Sequence, residues 1–261
     1  NENLIRHIFL NQVRNIKKKY GSEYGELVLC YDARKPSWRK KVYQYYKANR
    51  KKSREDSDID WNQLFEFLNK FKNEIDENFP YRVISIDGAE ADDIIACACK
   101  YKSCENNLIV SNDKDFYQLH VYPNTKQYSV YHKSVIKCEH PDKYLFEHIL
   151  RGDKGDGVPN YLSTDDTFVA KKRQRSITEK HIEEMWHQKC TNPNWQSGLT
   201  DELITNYNRN DQLINFINIP KEIDDTVKLE LNKENLKNRA NIHKYFAANG
   251  MNLMIENVTD F

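Results

Sequence analysis

YRVISID (Tyr81–Asp87) followed by EADDIIACACKY (Glu90–Tyr101) is the stretch that decides the fold. The first segment, with Tyr81, Val83, Ile84 and Ile86 ahead of a terminal carboxylate, reads as a strand, and the segment after it reads as a helix. The same unit recurs on both sides. Upstream, ELVLCYD (Glu26–Asp32) is a second apolar run closed by an acid. It is preceded by Leu4, Ile5, Ile8, Phe9, Val13 and Ile16 at helical spacing. Between the two strands WNQLFEFLNKFKNEI (Trp61–Ile75) presents Trp61, Leu64, Phe65, Leu68, Phe71 and Ile75 on one helical face. Downstream, NLIVSND (Asn107–Asp113) is a third strand ending in an acid, DKDFYQL opens a short helix, and KQYSV and SVIKC form an antiparallel pair. Alternating strands and helices imply an α/β fold, a mainly parallel central sheet with helices on both faces.

After Pro141 the pattern turns almost wholly helical. PDKYLFEHILRG is one helix, a Gly- and Asp-rich loop covers 152–160, and helical stretches follow near 176–188, 211–217 and 239–249. The division expected is an α/β domain over 1–140 and a mostly helical C-terminal lobe over 141–261. No repeat or low-complexity linker separates them.

The chain has 261 residues, and its apolar share, 39 % with tyrosine counted, falls below the average soluble domain. Aromatic residues at 12 % still provide for an ordered core, which excludes a disordered polyelectrolyte. No apolar run approaches the ~20 residues of a membrane helix. Cysteines 30, 97, 99, 104, 138 and 190 contain no C-x-x-C pair, so free thiols in a reducing cytoplasm are expected, not zinc or disulfides. The net charge is only +1, but the charges are segregated. Ten basic residues and no acid lie between Arg34 and Arg54, and KKRQR spans 171–175. Such blocks attract polyanions.

The acids gather where a doubly wound fold places its site, at the C-terminal ends of strands. Asp32 ends one strand, Glu90, Asp92 and Asp93 open the helix after the next, Asp113 and Asp115 follow the third, and Asp153 and Asp156 lie in the 152–160 loop. Any one of them could be a helix cap. A set of six or more carboxylates repels itself and needs cations. All-oxygen ligands favour Mg²⁺, with Mn²⁺ able to substitute. Two such ions about 3.5–4 Å apart form the arrangement that cleaves phosphodiesters.

In order along the chain, YDARKPSWRKKVYQYYKANRK, EADD, SNDKDF and GDKGDGVPN resemble the motifs of the flap endonuclease superfamily of 5′-nucleases, over about 4–160. The resemblance implies a PIN/5′-nuclease-like sheet and a 5′→3′ exonuclease, flap endonuclease and ribonuclease H activity. It implies removal of RNA primers and 5′ flaps during replication, with two Mg²⁺ ions. Asp32, Asp92 and Asp113 match direct ligands of the first metal, and Asp115, Asp153 and Asp156 the acids of the second; Glu90 and Asp93 match further acids. The basic block, about 34–60, corresponds to the family's arch over a free 5′ end. There Lys47 and Arg50 would polarise the scissile phosphate and Tyr46 would stack. Arg39, Lys40, Lys41, Lys51 and Lys52 would contact nucleic acid, as would Lys171, Lys172, Arg173 and Arg175. The implied partners are branched or nicked DNA and RNA/DNA duplex with a free 5′ end, met by a monomer away from any membrane. A single-strand-binding protein and a sliding clamp are candidate recruiting partners, and a phage-encoded chain would work in the host cytoplasm.

Two features depart from the family pattern. The Gly-x-Gly hairpin that grips duplex phosphates is absent after GDKGD, which leaves KKRQR as its substitute. The family's first strand, ending in an Asp, is absent as well. A natural chain longer by on the order of 20–40 residues is therefore expected, with that Asp beside Asp32, Asp92 and Asp113. Residues 1–261 alone are then expected to be poorly folded or weakly active. A PIN-like ribonuclease would share the acids but lack the arch, and a non-catalytic branched-DNA-binding protein would share both without cleaving.

If the basic block tracks a phosphate backbone, Lys40→Ala lowers the salt slope of flap-DNA binding by about one while leaving cleavage of bound DNA unchanged. Titrations at several salt concentrations measure this, and an unaltered slope makes the block a solvated face.

Overall fold

A computed structural model describes residues 2–261 and, within them, every side chain except those of 51–53. Helix α1 (Glu2–Tyr24) leads into strand β1 (Val28–Cys30), and the basic block forms α2 (Arg39–Val42) and α3 (Ala48–Glu55). Helix α4 (Trp61–Asn78) starts where the Asp60 carboxylate accepts the Gln63 N–H at 3.0 Å. Then come β2 (Arg82–Ile84), α5 (Ala91–Tyr101), β3 (Asn107–Val110), a 3₁₀ turn (Lys114–Val121), β4 (Thr125–Ser129), β5 (Ser134–Ile136) and α6 (Pro141–Arg151). The rest is helical: α7 (Glu179–Thr191), α8 (Asp201–Ile214), α9 (Lys221–Asn232), α10 (Ile242–Ala248) and α11 (Asn252–Ile255).

The sheet is in two pieces. Strand β1 pairs in parallel with β2, with Leu29 opposite Val83, while β3 pairs in parallel with β4 and β4 antiparallel with β5. Between β1 and β3 lies a cavity of about 440 Å³, walled by Val13, Ile16 and Tyr20 of α1, Leu29, Leu108 and, from α5, Ile95. The edges of β1 and β3 that face it have no strand partner among the described residues. With pairing on one edge only, β1 covers three residues of the five-residue apolar run at 27–31.

Helix α9 falls where the sequence reading placed no helix. Its pattern is legible in retrospect: Pro220 precedes it, and Ile223, Val227 and Leu231 recur every fourth residue. They cover Ile94 and Cys97 of α5. Helix α8 likewise begins at Asp201, ten residues before the expected stretch, with Thr200 accepting the Leu203 N–H at 3.4 Å as its cap.

The halves that the sequence separates near residue 140 share their cores. Tyr245, Phe246, Met254 and the terminal Phe261 pack against Leu10, Phe71, Ile75 and Phe79 of the first half. Tyr43 and Tyr46 of the basic segment pack against Phe146, Leu150 and Tyr161 of the second. All six cysteines are free thiols.

Phe79 is the hub of the first core, 1 % exposed and in ring contact with Tyr81, Tyr245, Phe246 and Phe261. Phe79→Ala should cost about 3–5 kcal/mol in urea unfolding. A loss under about 1 kcal/mol would mean that the C-terminal segment does not seal this core.

Candidate metal centre

Five of the acids at these strand ends and loops are placed by backbone contacts. The Asp32 carboxylate, just past β1, accepts the Ala91 N–H at 2.8 Å and ties the strand to the start of α5. Glu90 and Asp93 form a reciprocal capping box on α5, with the Asp93 carboxylate accepting the Glu90 N–H at 2.9 Å. Asp113 caps the 3₁₀ turn by accepting the Asp115 N–H at 3.0 Å, and Asp153 accepts the Asp156 N–H at 3.1 Å. Gly152 makes the last loop possible. Its φ is +66°, and a Cβ there would lie 2.4 Å from the carbonyl oxygens of Val158 and Pro159. Capping and cation binding are thus not rivals in this site, since a carboxylate has an oxygen for each.

Glu90, Asp92, Asp115, Asp153 and Asp156 line one cavity of about 20 Å³, room for a water-sized particle. Their charges are felt mutually. Burial, then Asp113, Asp32 and Glu90, push the Asp92 carboxyl up to about 7. Burial, then Asp113, Asp153, Asp156 and Asp92, push Asp115 up to about 8. Seven acids therefore form one electrostatic unit, in which Asp92 and Asp115 bear the cost of the crowding.

Cations of the chain answer from one side. Lys47 sits in the left-handed backbone region, φ +56°, held by its N–H on the Asp156 carbonyl at 2.7 Å. For a non-glycine residue that conformation costs on the order of 1–2 kcal/mol. It sends the ammonium onto Glu90 and to 3.7 Å from Asp156, while the Arg50 guanidinium pairs with Asp156.

Three expected roles do not survive the packing. Asp93 is fully buried, bonded to the Trp38 indole N–H at 3.1 Å and to Arg39 at 2.8 Å, and it does not line the cavity. Arg39, expected on phosphate, is 3 % exposed; besides Asp93 it pairs with Glu90 at 3.1 Å and donates to the Leu213 carbonyl at 2.7 Å. Burial disfavours its charge, but Asp93 and Glu90 more than compensate, so it stays a cation. Tyr46, expected to stack, is 3 % exposed, and its hydroxyl donates to Asp156 at 2.6 Å and Glu90 at 2.8 Å. A ring in a core offers a base no face. Lys40 and Lys41 are exposed, as are Lys171, Lys172, Arg173 and Arg175, with Lys172 paired to Asp166 at 2.6 Å. The side chains of Lys51 and Lys52 lie outside the described residues.

One residue of the cluster was not anticipated. His148, in the last turn of α6, places its ring beside Asp115 and Asp153. Burial pushes the imidazole down, against the pull of Asp153, Asp113 and Asp156. Its signal was its position, five residues before Asp153 in HILRGD, on the helix that delivers the acidic loop.

Acids at successive strand ends in a parallel α/β frame, faced by a lysine and an arginine, define a nuclease of the 5′-nuclease class. The chain belongs to the 5′-3′ exonuclease family: residues 3–146 match its N-terminal resolvase-like domain, and 140–261 match the C-terminal domain of T4 RNase H. Ribonuclease H of Enterobacteria phage T4 is 35 % identical over an alignment covering 100 % of this chain and 88 % of the phage protein. The 5′-3′ exonuclease of Buchnera aphidicola subsp. Schizaphis graminum is 29 % identical over 58 % of this chain, and the chain spans about half (52 %) of its length. In fold, the chain is similar to the flap endonuclease of bacteriophage T5 solved with DNA and metal ions, with a TM-score of 0.66, 16 % identity, and 86 % and 89 % of the two chains covered.

Because Asp92 and Asp115 hold protons at pH values where an unfolded aspartate, with its ordinary value of 3.8, has lost them, their stabilisation of the fold is complete below about pH 4. It is lost as pH rises through 7 to 8. In EDTA the melting temperature should therefore fall between pH 6 and pH 8.5, and Asp115→Asn should flatten that fall. Identical slopes for the two proteins would show that the acids are not coupled.

Proposed function

We propose that this chain is a divalent-metal-dependent 5′→3′ nuclease that removes RNA primers and 5′ flaps from replicating DNA. The observation that carries this reading is the single acidic unit built from Asp32, Asp92, Asp113, Asp115, Asp153 and Asp156, with Lys47 and Arg50 against it. Asp32, Asp92 and Asp113 would hold one ion, and Asp115, Asp153 and Asp156 a second; for these carboxylates taken alone Mg²⁺ is the natural choice, with Mn²⁺ substituting. Ions in such a site supply a nucleophile at neutral pH and neutralise charge on the transferring phosphoryl group.

The chain's own part is positioning and electrostatics. Lys47 and Arg50 are anchored on acids of the site, so a phosphate drawn to the cluster meets two cations already aimed at it. Tyr46 and Arg39 hold Glu90 from the buried side and fix the orientation of that wall. Exposed Lys40 and Lys41 in one segment, and Lys171, Arg173 and Arg175 in another, would track a nucleic-acid backbone. Support for the substrate comes from the relatives, named as a ribonuclease H, a 5′-3′ exonuclease and a flap endonuclease. The T5 neighbour was solved with DNA and metal ions. No helix of the described residues is long and apolar enough to cross a membrane. We read the enzyme as a cytoplasmic monomer recruited by a single-strand-binding protein or a clamp.

End-labelled 5′-flap DNA and RNA-primed duplex, with Mg²⁺ or EDTA, test this. Cleavage should require the metal and a free 5′ end. Asp113→Asn should lower the single-turnover rate by on the order of 10³-fold while flap binding persists. Lys47→Ala and Arg50→Ala should each cost about 3–4 kcal/mol in the same rate. Tight flap binding with no cleavage in Mg²⁺ or Mn²⁺ would instead make the chain a non-catalytic branched-DNA-binding protein.

A further inference from the structure

The His148 imidazole stands inside the acidic unit, and the mechanism above leaves it unused. Its position is fixed from two sides. The Gly152 N–H donates to its carbonyl at 2.8 Å, which closes α6 and starts the Asp153 loop. The Tyr144 ring meets the imidazole edge to face at 5.9 Å. Nδ1 lies 3.5 Å from Asp115 Oδ1, and Nε2 lies 4.0 Å from Asp153 Oδ2. Nδ1 is buried and makes no hydrogen bond among the described residues. A buried nitrogen in that state, 3.5 Å from a carboxylate, is completed either by a proton shared with Asp115 or by a cation.

Asp115, His148 and Asp153 can each offer one ligand atom such that all three lie within 4.8 Å of one another. Around an octahedral ion with bonds of about 2.1 Å, neighbouring ligands are about 3.0 Å apart and opposite ones about 4.2 Å. Through one ring nitrogen, the triad has to draw in by no more than about 0.6 Å to share one ion. A donor set of two carboxylates and an imidazole differs in kind from an all-oxygen set. Mg²⁺ takes oxygen ligands and keeps its waters, whereas an imidazole nitrogen favours the divalent transition metals.

We propose that His148 is a nitrogen ligand at the second cation position and makes that position selective for divalent transition-metal ions over Mg²⁺. This rests on the nuclease reading above and deepens it. His148 is then a specificity-determining residue for the ion. The competing role is electrostatic, an imidazolium that merely balances Asp115 and Asp153, and lysine would fill that role equally well.

The test uses the full chain loaded with up to two equivalents of Mn²⁺, the weakest binder of the transition series and so the most demanding probe. Pulsed EPR of the bound Mn²⁺ should show a ¹⁴N coupling from a directly bonded imidazole. That coupling should vanish in His148→Gln and in His148→Lys. The ratio of Mn²⁺ to Mg²⁺ affinity, read by calorimetry, should fall by at least about tenfold in both variants. No ¹⁴N coupling in the wild-type chain, or an unchanged ratio, overturns the proposal. So does recovery of the wild-type ratio in His148→Lys, which would leave only charge balance. If either variant fails to fold, the wild-type coupling decides alone. Metal-dependent cleavage without the coupling removes this inference and leaves the nuclease reading intact. Coupling without cleavage of any flap or primer does the reverse.

Discussion

Seven carboxylates are held together at one end of a divided parallel sheet, and their mutual repulsion is the constraint that the rest of the molecule accommodates. Left alone they would spread or stay protonated. The chain opposes this locally, by giving Asp32, Asp113 and Asp153 a backbone N–H each to accept. It opposes it globally by bringing Lys47, Arg50 and Arg39 against the cluster from a segment far away in sequence. The balance is incomplete by design: Asp92 and Asp115 still sit near 7 and 8, and that residue of unfavourable charge is what a bound cation relieves.

Arg39 and Asp93 show how the site is supported. A buried pair of this sort contributes little net stability, yet removing either partner leaves an uncompensated charge in a dry environment. Here the pair joins α2, the N-terminus of α5 and, through Leu213, the end of α8. Tyr46 extends the same bracket to Glu90 and Asp156. The basic segment is therefore anchored by its buried members while Lys40 and Lys41 remain exposed. Helix α9 closes the far side of α5, so the helix that carries Asp92 is held on both flanks.

Much of this was legible in the sequence. The strand-then-acid pattern of ELVLCYD, YRVISID–EADD and NLIVSND located three walls of the site, because apolar runs and terminal carboxylates are local properties. What the sequence did not reveal depends on burial across long separations. In a block of ten cations nothing marks Arg39 as the one that turns inward, since its partners Asp93 and Leu213 are 54 and 174 residues away. Tyr46 carries the same ambiguity, for stacking and core packing ask for the same ring. His148 is a single histidine within a helix, and nothing local sets it apart from a packed one. The split between β1 and β3 could not be read either, as pairing between strands leaves no trace in the residues of one strand. Helix α9 had a clear four-residue apolar spacing, but its surroundings of Lys, Glu and Asn masked it.

That the acidic unit is a divalent-cation site can be seen directly. Crystals soaked in Mn²⁺ would be examined by anomalous scattering at the manganese edge. Two peaks roughly 3.5–4 Å apart are predicted, one beside Asp92 and Asp113 and the other beside Asp115, His148 and Asp153. An anomalous map without density in the cluster, at Mn²⁺ concentrations that occupy other surface acids, would contradict the account.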